Sequence, residues 1–273
     1  VSDTGYLLGQ SDRAARRLEI QDRHFAEPSE RLLDDLQMQP DDHVVELGCG
    51  PGGLTRRILA RLGPTGKVVG VDSSAAMLEQ AARHVAGAGP GRFEPVRADV
   101  AALGPWLEEA DVVIGRAVLH HVPVAEFVLG RLRAAVRPGT RVGFIEPDFR
   151  TPLARLAYLE ATGRPELAPL RVWATAINQL YAAWRISPAV GATLAAAIEE
   201  AGYRNVRVVW HEFPCDALVI ENIALWYDEV RDSLARHDVL TPAETDEQQR
   251  LMRKLPPGPH PAVWGVHRVA AEA

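Results

Sequence analysis

From residue 43 onward, short apolar runs alternate with stretches in which apolar residues recur every three or four positions. That alternation predicts βαβ units wound around a parallel sheet. VVEL at 44–47 is the first predicted strand, followed by glycines and a helical pattern over 54–62. Residues 67–72 predict a second strand, 75–85 a helix, and 92–97 a third, weaker strand. DVVIG at 111–115 is the fourth predicted strand. A helix over 125–136 is stopped by Pro138 and Gly139, and 141–146 predicts a fifth strand closed by Pro147.

The rhythm then changes. Pro152, Pro165 and Pro169 punctuate residues 150–187, which predicts short helices in an insertion. A helix over 188–201 ends at Gly202, 206–210 reads as a strand, 221–236 as a helix, and 262–269 alternates like a final strand. The first 37 residues predict two amphipathic helices ahead of the sheet. The expected organisation is an N-terminal helical lid over 1–39 and an α/β core over 40–273. That core carries cap insertions at about 150–187 and 218–252.

The glycine-rich ELGCGPGG at 46–53 lies between a predicted strand and a helix. Glycines let the chain turn tightly and approach a ligand without a Cβ in the way. Gly48, Gly50 and Gly53 also satisfy G-x-G-x-x-G, so a dinucleotide site is one reading. Glu46 argues against it, because a carboxylate facing a pyrophosphate is repelled, whereas beside an amine or ammonium it is useful. Asp72, ending the next strand, is placed to accept from ribose hydroxyls in either reading. Asp99 ends strand three where an adenine amine would lie.

With these residues in place, the chain resembles class I S-adenosylmethionine (SAM)-dependent methyltransferases. Five blocks in order carry the resemblance: VVELGCGPGG at 44–53, VVGVDSS at 68–74, RADV at 97–100, ADVVIGRAVLHHV at 110–122 and LRAAVRPGTRVGFIEPD at 132–148. It implies a Rossmann-like, doubly wound, mostly parallel seven-stranded sheet with an antiparallel last strand. By this resemblance SAM is the cofactor and S-adenosylhomocysteine the product. Glu46, Gly48, Gly50 and Gly52 would shape the methionine end, and Asp72 would hold the ribose. Ser73 and Met77 would flank the adenosine, Asp99 and Val100 would meet the adenine, and Arg116 and Ala117 would line the pocket beyond strand four. Met77 also fits ordinary helix packing.

A general base is needed only where the methyl acceptor must lose a proton. His120 and His121 follow strand four and are the candidates, since imidazole accepts a proton near neutrality. His120 is favoured because the similar phosphoethanolamine methyltransferases turn the corresponding histidine toward the acceptor, paired with an N-terminal tyrosine. Tyr6 is the analogous partner here, with helix packing as its other reading. Arg17 either reaches the cofactor carboxylate or, the favoured reading, is a solvated helix residue. Glu146 and Asp148 either bind a cationic substrate, orient His120, or sit on the rim as loop carboxylates. In the insertion, Trp173 and Tyr181 share a helical stripe with Trp184, which suits a buried core or an aromatic acceptor wall.

Composition narrows the function further. A net charge of −6 and the absence of a basic stripe disfavour a nucleic-acid partner. Two cysteines, Cys49 and Cys215, offer neither a disulfide framework nor metal-ligand spacing, and none of the nine histidines stands in H-E-x-x-H. No metal is therefore expected. The adjacent pair 120–121 is expected to point its two rings apart. No apolar run is long enough for a membrane span and no signal-peptide layout is read, so a cytoplasmic protein is expected. Arginine and alanine abundance with only Lys67 and Lys254 as lysines fits a high-GC bacterial source.

The function expected is methyl transfer to a small organic acceptor, an aromatic secondary metabolite such as an antibiotic intermediate, on oxygen or carbon more readily than nitrogen. A cyclase-like SAM-binding protein that transfers no methyl, a protein or nucleic-acid methyltransferase, and an NAD-dependent dehydrogenase are the alternatives. A homodimer through the N-terminal helices or the 218–252 segment is also open.

Overall fold

The computed structural model describes residues 12–273 except Pro123, Pro256, Pro257, Ala262 and Val263. Five parallel strands form its centre: β1 (His43–Leu47), β2 (Lys67–Asp72), β3 (Arg92–Arg97), β4 (Val112–Arg116) and β5 (Arg141–Asp148). Two more, β6 (Arg204–Glu212) and β7 (Gly265–Glu272), complete a seven-stranded sheet of order β3-β2-β1-β4-β5-β7-β6. β7 runs antiparallel to both β5 and β6. The parallel, doubly wound part is what the strand–helix alternation predicts, and the seven-stranded Rossmann-like sheet with its antiparallel β7 is what the family resemblance implies.

The central strands are apolar on both faces because helices cover both. Successive residues take opposite sides, so Val44 belongs to one core and Val45 to the other. On the first face α2 (Ala26–Asp35) supplies Leu32 and Leu33, and α3 (Gly53–Leu59) supplies Leu54 and Ile58. On the second, α5 (Ala125–Ala135) brings Leu129 and Leu132, and α8 (Val190–Glu200) brings Leu194 and Ile198. Helix α4 (Ala75–His84) starts at Ser74, whose hydroxyl accepts from the Met77 N–H at 3.4 Å.

The additions gather at the carboxyl ends of the parallel strands. α1 (Asp12–His24) packs against α9 (Ala217–Arg236), and α6 (Thr151–Ala161), α7 (Ala168–Ala183) and α10 (Pro242–Met252) complete the cap. Tyr6 lies outside the described residues.

Several boundaries differ from the sequence expectation. β5 does not close at Pro147 but continues to Asp148, because β7 pairs with it as far as Asp148↔Gly265. The β4 ladder has ended at Arg116↔Ile145, so Pro147 lies where only one side of the strand is paired and its missing N–H is tolerated. The last strand is shifted to 265–272, and the expected 218–252 cap contains a separate second helix, α10. Its start was legible in T-P-A-E: Thr241 and Glu244 form a reciprocal capping box. Among the described residues, no helix is long and apolar enough to cross a membrane.

Candidate active site

The loop after β1 turns on three left-handed glycines, Gly48 (φ 65°), Gly50 (φ 50°) and Gly52 (φ 86°). They do different work. A Cβ at Gly48 would fall 2.4 Å from Cγ2 of Val118, so its absence lets the loop after β4 lie directly on this one. A Cβ at Gly50 would meet nothing within 4 Å among the described residues, leaving its backbone open toward the cavity. Gly52 does not line the cavity; it precedes α3, and a Cβ there would press on Ala81 and Val85 at 3.1 Å. Gly48→Ala is expected to cost about 1–3 kcal/mol in thermal or urea unfolding through strain and overpacking. Unchanged stability would show that Val118 moves aside freely.

Asp72 closes the turn from below. Its Oδ2 accepts the Gly50 N–H and its Oδ1 the Ser74 N–H, both at 2.9 Å. Burial raises its pKa, with the backbone donors at Ser74, Gly50 and Ser73 opposing. Glu46 is buried beneath the loop and accepts from Thr55 Oγ1 at 2.6 Å. Burial pushes it up to about 7, while Thr55 and Arg116 pull the other way. Arg116 is held by Asp22 of α1 at 2.9 Å and donates to Ser29 Oγ at 3.2 Å.

A cavity of about 880 Å³ runs from this loop into the cap. At the loop end it is lined by Gly48, Gly50, Asp72, Ser73, Asp99 and Val100, with Met77 behind them. Met77 is only 4% exposed, so it packs in the core and meets the cavity at once. Asp99 accepts from the Ala101 N–H through Oδ1, leaving its other oxygen available. At the cap end the wall is aromatic: Phe149, Trp173, Tyr181, Trp184, Trp226 and Trp264. Trp173 and Tyr181 are thus both buried stripe and wall. The indole N–H groups of Trp173 and Trp226 and the Asn222 amide nitrogen, all on lining residues, have no hydrogen-bond partner among the described residues.

Between the two ends stand Ala117, His120 and His121. Ala117 adopts φ 51°, a strained conformation for a residue with a Cβ, while its N–H donates to Ile145 at 2.8 Å. His120 is 6% exposed, and its ring lies parallel to Tyr181 with centroids 6.0 Å apart. The rings of His120 and His121 do not point apart: they lie against each other, centroids 3.9 Å apart and tilted by 41°, because residues 119–121 form a tight 3₁₀ turn. Burial, followed by the charge of Arg17, pushes His120 down to about 3. Burial, with His120 next, holds His121 well below its usual value.

Three expected residues take other places. Glu146 does not line the cavity; it is wholly buried and accepts backbone N–H groups from Val118 at 2.9 Å, Leu119 at 2.8 Å and His120 at 3.2 Å. His120 Nδ1 lies 3.0 Å from its Oε2. Asp148 is also buried and off the wall; it accepts from the N–H groups of Arg150 and Thr151 at 2.8 and 3.1 Å, at the start of α6. Burial alone would raise it, but His267, Thr151 and the backbone donors bring it down to about 2. Arg17 is no solvated helix arginine: it is 2% exposed, lines the cavity and pairs with Glu229 of α9 at 2.8 Å. Glu229 had no local signal, since an acid on an amphipathic helix ordinarily faces water.

A methyltransferase-domain family model matches residues 45–142. A trans-aconitate 2-methyltransferase of Methylobacterium radiotolerans is 31% identical over 206 residues, 71% of this chain and 70% of that protein. The protein of the same name from Variovorax paradoxus is 38% identical over 144 residues, 52% of this chain and 53% of its own. A geranyl diphosphate methyltransferase solved with SAM shares the fold, with a TM-score of 0.53 and 18% identity over 98% of this chain and 97% of that one. The chain belongs to the class I SAM-dependent methyltransferase family. It spans about half the length of the Variovorax relative.

The residues present fit an adenosyl cofactor. Gly50 leaves its backbone uncovered, Asp72 retains acceptor capacity beyond its backbone donors, and Asp99 keeps an oxygen with no hydrogen bond among the described residues. Asp72→Ala is expected to weaken SAM binding by about 1–3 kcal/mol in calorimetric titration. An unchanged affinity removes Asp72 from the ribose site. Among the described residues, no group of three or more His, Cys, Asp or Glu side chains is placed to hold a metal.

Proposed function

We propose that the protein transfers a methyl group from SAM to a small organic acceptor with an apolar, aromatic body, on oxygen or carbon. The observation that carries this reading is one continuous cavity with the glycine loop and Asp72 at one end, aromatic walls at the other, and His120 between them. When bound, SAM supplies a methyl on a sulfonium, and the departing carbon–sulfur electron pair leaves a neutral thioether. The chain's own contribution is orientation, exclusion of water and removal of the acceptor's proton. Trp173, Tyr181 and Trp226 suit a flat or apolar acceptor, and the N–H groups of Trp173, Trp226 and Asn222, without a partner among the described residues, suit an oxygen on it. Neutral His120 is the proposed base.

A second reading is methyl esterification of a small organic acid. It is favoured by the trans-aconitate 2-methyltransferases among the relatives and by Arg17 on the cavity wall. A carboxylate acceptor has no proton to lose and needs no base.

Both readings are tested by incubating the protein with methyl-labelled SAM and a panel of phenols, indoles, enolisable acids and trans-aconitate. Label in a phenol or carbon acid supports the first, and label in trans-aconitate alone supports the second. Conversion of an acceptor with all label retained on SAM identifies a cyclase-like protein instead. Titration with SAM, S-adenosylhomocysteine and NAD, run alongside, is expected to give adenosyl binding and no NAD signal.

A further inference from the structure

We propose that Glu146 is a positioning residue that fixes His120 as its Nδ1–H tautomer, leaving Nε2 as proton acceptor, and that the acceptor is therefore a proton-bearing phenol, enol or carbon acid. This rests on the methyltransferase reading for its substrate class, but not for its account of the imidazole. One carboxylate gathers four donors: Oε1 takes the N–H groups of Val118 and Leu119, and Oε2 takes the N–H and Nδ1 of His120. Three of those are backbone N–H groups whose protons cannot be reversed. Burial pushes Glu146 up to about 7 while the backbone donors of Leu119, Val118 and His120 pull it down; in its ionised form it is acceptor-only, and Nδ1 then carries the fourth proton.

The same carboxylate holds residues 118–120 in place, so loop shape and tautomer are set by one side chain. His120 is further confined by the His121 ring at 3.9 Å and by Tyr181 stacked at 6.0 Å. With Glu146 behind Nδ1 and the cavity in front, Nε2 is the nitrogen left to an acceptor. As the acceptor gains the methyl, its proton passes to Nε2. The positive charge lost from the sulfonium reappears on the imidazolium, facing Glu146. A carboxylate acceptor would have no use for such a device.

The decisive measurement is long-range proton–nitrogen NMR of the ¹⁵N-histidine-labelled full chain at neutral pH, with S-adenosylhomocysteine added. His120 is assigned by loss of its signals in His120→Ala. The expected spectrum has a protonated Nδ1 and a bare Nε2. A proton on Nε2 instead, with Glu146 donating from its own hydroxyl, would overturn the proposal without reference to turnover. In Glu146→Gln the amide nitrogen faces His120, which should reverse the tautomer. Its kcat on a phenol or carbon-acid acceptor should fall about 100-fold or more, while KM and SAM affinity stay close to wild type. A reversed tautomer with undiminished kcat overturns the role in proton removal. If no acceptor is ever methylated, the wild-type spectrum still decides the tautomer, so failure of the methyltransferase reading is recognised separately.

Discussion

His120→Ala lowers kcat by about 100- to 10,000-fold on a proton-bearing acceptor while leaving SAM affinity near wild type. The expectation follows from position. His120 lines the junction of the cavity, and burial keeps its ring neutral at physiological pH, so a ring nitrogen offers a free lone pair to the acceptor. The cofactor contacts proposed for Asp72 and Gly50 belong to a different loop, joined to the histidine turn through Val118 packed on Gly48. Steady-state kinetics with calorimetry on the same sample separate the two effects. Equal loss of turnover and SAM affinity would make His120 a structural residue, and unchanged turnover would remove the need for a base.

Arg17→Met is expected to destabilise the protein by about 3–5 kcal/mol, and Glu229→Gln by a similar amount, because each leaves the other member of a buried ion pair uncompensated. Both side chains are 2% exposed, so water cannot replace the lost partner. The double variant should recover much of the loss, since the desolvation cost of both charges disappears together. Urea unfolding of the four proteins measures the coupling. Strict additivity would mean that the pair is not a stabilising unit. The pair has a second consequence: the Arg17 charge contributes to the lowered pKa of His120 and His121. Arg17→Met should therefore let His120 take up a proton at higher pH. The acid limb of a pH–rate profile would move upward, and an unmoved limb would show the charge to be screened from the ring.

The same pair ties α1 to α9, with Arg16 and Glu221 adding a second link at 2.9 Å. Asp22 of α1 binds Arg116 at the end of β4. The first described helix thus bridges the sheet and the cap directly above the cavity. Of the described part of the expected 1–39 lid, we propose that α1 acts as a lid, whereas α2 buries Leu32 and Leu33 against the sheet.

Much of the architecture was legible because it depends on neighbours in the chain. The alternation of apolar runs and helical patterns required helices on both faces of a parallel sheet, and β2 and β3 have the bounds that the pattern predicts. The glycines at 48, 50 and 52 marked a turn that only residues tolerating positive φ can make. Asp72 at the end of β2 and His120 beyond β4 followed from strand position, and both stand on the cavity. The shift of β7 and the length of β5 were less legible, because an edge pairing can extend a strand past a proline.

The sequence by itself determined the βαβ order, the glycine turn and the types of residue brought to the carboxyl ends of the strands. Periodicity and conformational preference act over a few residues, so they survive in a linear reading. Only the tertiary structure decided which ionisable groups meet: Glu146 with the turn 118–120, and Arg17 with a carboxylate 212 residues away. Those pairings arise where the folded chain excludes water from charges contributed by separate elements. Burial there turns a rim carboxylate into the support of a histidine and a surface arginine into part of the core.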